Sequence, residues 1–177
     1  MPAIVAPVSS VRPAGYSAAQ IALHWIMAAM VLFQVVMGEN IGPAWKAFRE
    51  GTTPAEADLF AANVHVAIGM GVFALAVIRL FLRVTHGAPP LPSGQSRLQT
   101  AIAHAVHGVL YLVILAMPVS GGAAWFGGVE LAGTIHHFAK PVIVIAVALH
   151  VAGALVQHFV KKTDVLTRML RPERSAA

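Results

Sequence analysis

Four long apolar stretches alternate with short polar ones along the whole chain. The first runs from about Ala18 to Gly38, the second from Ala61 to Leu82, the third from Leu98 to Val119 and the fourth from Thr134 to Val160. Each approaches or exceeds the roughly 20 apolar residues that a helix needs to cross a bilayer core. The first is too long for the 7–15-residue apolar region typical of a signal peptide, so it reads as a retained span. Residues 39–60, with Gly42, Pro43, Gly51 and Pro54, read as a polar loop, and residues 86–97 (HGAPPLPSGQSR) as a turn-rich connector. Residues 120–133 (SGGAAWFGGVELAG) read as a glycine-rich turn. Thr134 is then the expected cap of the fourth span, with a late start or a kink at Pro141. The pattern predicts an all-α integral membrane four-helix bundle. It has a flexible tail over residues 1–16, a transmembrane domain over 17–160, and a basic tail over 161–177 that runs along the membrane surface.

Composition agrees with that reading. The chain is 58% hydrophobic and 11% charged, against roughly 25% charged in soluble domains. With no cysteine, disulfides, cysteine-ligated iron–sulfur clusters and covalently attached haem are excluded. The net charge of +5 reports orientation in the bilayer rather than nucleic-acid binding. Arg12, Arg79, Arg83, Arg97, Lys161, Lys162, Arg168, Arg171 and Arg174 fall on the side of the termini, against Lys46, Arg49 and Lys140 on the other. The positive-inside rule therefore puts both termini in the cytoplasm.

Histidines carry the candidate chemistry. His136 and His150 lie fourteen residues apart in TIHHFAKPVIVIAVALHVAG. At about 100° and 1.5 Å per residue they share a helix face and sit roughly 21 Å apart along the axis, one in each leaflet. Ionisable groups inside a bilayer mark function, and the economical explanation is two stacked b-type haems. Depth supplies the partners: His24 with His150 in the inner leaflet and His65 with His136 in the outer. Helix bundles build cofactor sites from facing side chains in this way. His137 competes with His136 but points about 100° away from the His150 face. Gly69, Gly71 and Ala28 are small residues near these positions that would let a flat macrocycle, or simply a neighbouring helix, approach.

Other polar residues are secondary candidates. Arg79 and Arg83 stand one turn apart at the inner end of the second span, Arg79 as a partner for a haem propionate and Arg83 as an interfacial anchor. His104, His107, Gln157 and His158 are the polar groups available near the inner haem for a quinone or for propionates, and equally for the interface. On the outer side three basic residues face five acidic ones (Glu39, Glu50, Glu56, Asp58 and Glu130). Such a rim does not steer an anion, unless Lys140, four residues from His136, forms a local positive patch.

The chain resembles the bacterial cytochrome b561 family from about Tyr16 to Met169. The matching stretches are YSAAQIALHW (16–25), NVHVAIG (63–69), VIRLFLR (77–83), AHAVHGVLYL (103–112), AMPVSG (116–121) and HHFAKPVIVIAVALH (136–150). The resemblance implies a four-helix membrane cytochrome with two b haems, each held by two axial histidines, and carries the ligands over to His24, His65, His136 and His150. It implies electron transfer between a periplasmic donor, superoxide in some members, and the quinone pool, with ubiquinone as the substrate. An alternative is a cytochrome b anchor subunit that docks a separate redox enzyme such as a hydrogenase.

Overall fold

The structure, a computed structural model, describes residue 13 and residues 15–173. Most of the expected N-terminal tail, with Arg12, and Arg174 at the other end lie outside the described residues. Among the described residues the chain is all helical, and four helical segments are long and apolar enough to cross a membrane.

Helix α1 covers Ala18–Met37. It starts where it does because Ser17 and Gln20 cap each other. The Ser17 hydroxyl accepts from the Gln20 amide at 3.2 Å, and the Gln20 side chain accepts from the Ser17 amide at 3.0 Å. The same box, Ser96 with Gln99, opens α4. A 3-10 turn (Gly38–Ile41) leads into α2 (Gly42–Arg49), with Pro43 in its first turn. Helix α3 covers Glu56–His86, α4 Arg97–Gly127 and α5 Glu130–Leu155. A π-helical turn at Val156–Val160 extends α5, and α6 is a single turn at Val165–Arg168.

Three sequence expectations need correction. Residues 39–60 are not simply a polar loop, since most of 38–49 is helical. Residues 120–133 are not a turn either. Helix α4 continues through them to Gly127, and only Gly128 and Val129 separate it from α5. Gly128 adopts φ 66°, the left-handed conformation that ends a helix cheaply without a Cβ. Thr134 is therefore inside α5 rather than its cap, its hydroxyl donating back to the Glu130 carbonyl at 3.2 Å. Pro118 and Pro141 both sit within continuous helices; in a bilayer, neighbouring groups re-satisfy the backbone that a proline frees. His86 ends α3 and is exposed.

The long helices run up, down, up and down, with α4 against α5, α1 against α3 and α3 against α4. The closely packed interior is made of small and medium residues: Ala62, Val72, Ala76, Val113, Ala124, Ile143 and Ala146. Large apolar side chains such as Leu32, Phe60, Phe81, Leu112 and Phe126 point outward, as a lipid-facing surface requires. One end of the bundle, here proximal, gathers the start of α1, the α3–α4 connector and the end of α5. The opposite, distal end carries α2 and the short α4–α5 link.

The basic tail folds back on the proximal end. The Trp25 indole N–H donates to the Met169 carbonyl at 2.7 Å, and Arg168 donates to the Pro90 carbonyl at 2.9 Å. The Glu173 amide donates to the Tyr16 carbonyl at 3.0 Å. These bonds tie residues 168–173 to α1, to its lead-in and to the α3–α4 connector.

Candidate functional site

Two pairs of imidazoles face each other inside the bundle. Near the proximal end the rings of His24 (α1) and His150 (α5) have their centres 6.0 Å apart, at 63° between planes. Near the distal end His65 (α3) and His136 (α5) also stand 6.0 Å apart, at 74°. All four are half-buried. Helix α5 contributes one ring to each pair because a fourteen-residue step nearly closes four turns.

This separation suits a metal. Bonds from iron to two opposed imidazoles run about 2 Å each, and each nitrogen lies about 1.1 Å from its ring centre, which places the two ring centres about 6 Å apart. At the distal pair the fit extends to the surroundings. A cavity of about 320 Å³ is lined by His65 and His136 with Gln34, Met117, Gly121 and Trp125. The His136 Nδ1 lies 2.8 Å from the Met117 carbonyl. A carbonyl carries no proton, so Nδ1 is the protonated nitrogen and Nε2 keeps its lone pair for a metal.

Close approach here depends on glycine. A Cβ added at Gly121 would lie 2.9 Å from the His136 Nδ1 and 3.0 Å from its Cε1. Only a residue without a side chain lets this ring reach the Met117 carbonyl. Gly38 stands beside His65, where an added Cβ would be 3.6 Å from Cε1. Gly69 and Gly71 serve helix packing instead. Their added Cβ atoms would meet the Gln34 amide at 3.2 Å and the Met30 methyl at 2.8 Å. Gln34 uses that space to donate to the His65 carbonyl at 2.8 Å, which pins α1 to α3 next to the ring. Ala28 is exposed. His137 is also exposed, with its ring beside Phe138.

The secondary candidates do not converge on one site. His107 lies against the proximal pair, its ring centre 5.1 Å from that of His150. Arg79 donates to the Gln20 carbonyl at 3.3 Å, one turn before His24, and Arg83 sits 5.8 Å over the Tyr111 ring. Gln157 lines a small polar pocket with Gln95, Gln99, Lys161 and Thr163. The His158 ring lies beside Phe159, and its Nδ1 is buried without a protein partner. His104 is exposed.

At the distal rim each basic residue is paired. Lys140 binds Glu39, Arg49 donates to Glu130 at 3.2 Å, and Lys46 lies 3.9 Å from Glu50. Lys140 is therefore not the free positive patch that sequence allowed.

Four long apolar helices enclosing stacked imidazole pairs define a membrane electron-transfer protein of the b-cytochrome class. The comparison with known proteins narrows the class. The sequence model of prokaryotic cytochrome b561 matches residues 15–172, and the chain belongs to that family, a family of bacterial inner-membrane proteins with b-type haem. It is 34% identical to cytochrome b562 of Cereibacter sphaeroides over 158 residues, covering 89% of this chain and 96% of that one. It is 25% identical to the probable superoxide oxidase CybB of Yersinia pestis, covering 90% and 97%. It is 28% identical to cytochrome b561 homolog 2 of Escherichia coli, covering 89% and 92%.

Proposed function

We propose that this cytochrome binds two b-type haems and passes electrons across the inner membrane, between a donor on the periplasmic side and the quinone pool. His24 and His150 hold one haem and His65 and His136 the other. The observation that carries the reading is the pair of 6.0 Å ring separations, both involving α5. When bound, the haems would supply reversible one-electron chemistry.

The chain's own residues set the rest. The Met117 carbonyl orients His136 and fixes its tautomer, and Gln34 fixes the backbone of His65. Arg79, turned towards α1 one turn from His24, is placed to hold a propionate at the proximal site. The excess of lysine and arginine at the proximal end supports placing both termini in the cytoplasm. Ubiquinone then exchanges at the proximal end, where His104, Gln157 and His158 supply polar groups at separate points. The paired distal cations, with Glu56 and Asp58 in no ion pair among the described residues, favour a donor other than the superoxide anion.

Haem quantification on the purified protein tests this reading. Two haems per chain are expected. His24→Ala and His150→Ala should each remove the same spectral component, His65→Ala and His136→Ala the other, and His137→Ala neither. One haem per chain, or different losses within a pair, overturns it. Co-purification of a tightly bound redox subunit would favour the anchor alternative.

A further inference from the structure

We infer that His107 is a positioning residue for His150, holding that ring at a set rotation at the proximal site. The inference rests on the proposal that His24 and His150 ligate one haem.

A third histidine beside a ligand pair has three physical readings: another ligand, a surface residue, or a support for one of the ligands. Distance removes the first. Two imidazoles on opposite faces of one iron need ring centres about 6 Å apart, as in the His24 and His150 pair. His107 and His150 are 5.1 Å apart, too close to be opposed ligands of one iron. Their planes stand at 85°, the edge-to-face arrangement in which the positive edge of one ring meets the negative face of the other.

Although His107 is exposed, its ring is fixed, which the second reading does not require. Its Nδ1 lies 2.6 Å from the Ala103 carbonyl, one turn back on α4. The carbonyl can only accept, so Nδ1 carries the proton and the ring cannot turn without breaking this bond. One turn further on, Tyr111 packs under the Arg83 guanidinium at 5.8 Å, a cation–π contact that fastens α4 to α3. A ring with a fixed rotation, on a helix with a fixed position, therefore bears edge-to-face on His150. The sites also differ in this respect. At the distal site a backbone carbonyl orients His136 through Nδ1, whereas at the proximal site a neighbouring ring bears on His150.

The test compares His107→Ala, His107→Phe and wild type by haem content and by low-temperature electron paramagnetic resonance of the oxidised protein. The resonance of low-spin haem depends on the angle between its axial imidazole planes. Alanine is favourable in a helix and His107 is exposed, so the fold should survive. His107→Ala is expected to keep two haems but to shift or broaden the proximal signal, identified as the one absent in His24→Ala. His107→Phe, which keeps an aromatic edge, should restore most of the wild-type line shape. An unchanged signal in His107→Ala overturns the inference, as does loss of a whole haem in that variant, which would make His107 a ligand. If His150→Ala retained both haems, the underlying ligand assignment would fail instead, and wild-type haem content with that variant distinguishes the two failures.

Discussion

Gly121 offers the sharpest test of the distal site, because helix propensity and site geometry predict opposite outcomes. In the interior of α4, replacing glycine by alanine should stabilise the helix by up to about 1 kcal/mol. At Gly121 the new Cβ would lie 2.9 Å from the His136 Nδ1. Ordinary contact is about 3.5 Å, so the ring must retreat by about 0.5 Å. The bond to the Met117 carbonyl, now 2.8 Å, would then stretch to the edge of hydrogen-bonding range. Losing such an outer support of a metal-bound histidine typically weakens metal affinity 10- to 100-fold, or about 1.4–2.8 kcal/mol. This exceeds the helix gain, so on the two-haem proposal Gly121→Ala should lower occupancy of the distal site while the proximal one stays full. Gly153→Ala on α5 is the control, since nothing lies within 4 Å of its added Cβ. The assay is the haem-to-protein ratio and the reduced-minus-oxidised spectrum of protein purified under mild detergent. A Gly121→Ala protein with the wild-type ratio, the wild-type spectrum and raised thermal stability would refute the reasoning.

Two further outcomes follow from the rim and the tail. Glu39→Gln releases Lys140 from its ion pair and removes one negative charge. Reduction of the distal haem by superoxide, followed by stopped flow, should then speed up at low salt, and the gain should vanish at high salt. Equal rates in both proteins would mean that rim charge does not control access. Trp25→Phe removes the 2.7 Å bond to the Met169 carbonyl, worth about 1 kcal/mol or roughly fivefold in local opening. Trypsin should cut after Arg168 correspondingly faster in bilayer-embedded protein, and an unchanged cleavage rate would show that the other tail contacts suffice.

The spans were legible because membrane helices announce themselves by length and apolarity, and the four histidines because imidazole is costly in lipid. Their neighbours were less so. The stretch AMPVSG was visible in the sequence, but its role was not. Nothing in a glycine's identity says that a ring nineteen residues further along the chain, counted from Met117, will bond a carbonyl beside it. Gly69 and Gly71 drew attention by lying near His65, yet they accommodate Gln34 and Met30. Glycine content misled the reading of residues 120–133. In water, glycine clusters break helices, whereas in membrane helices they permit close packing. Thus Gly133 sits where an added Cβ would be 3.2 Å from the Trp45 ring. Charge counting gave the distal balance but not the pairings. Lys140 and Glu39 are 101 residues apart and meet only because α5 returns beside the end of α1.

One helix sets the spacing of both pairs. His136, Ile143 and His150 follow at steps of seven, and each step falls about 20° short of two full turns. Ile143 and Ala146, both buried, lie between the histidines along α5, so the side of the helix that holds the rings is also the side packed into the bundle. Pro141 is exposed, and the helix runs through it without interruption. The axial offset between the pairs, roughly 21 Å, is then the rise of fourteen residues. It does not depend on how α1 and α3 sit against their neighbours, because those helices contribute a single ring each. Shifts of α1 or α3 can loosen one pair without moving the other. A change of register within residues 137–149 of α5 would turn His150 by about 100° per residue relative to His136, and no movement of α1 would recover both partners.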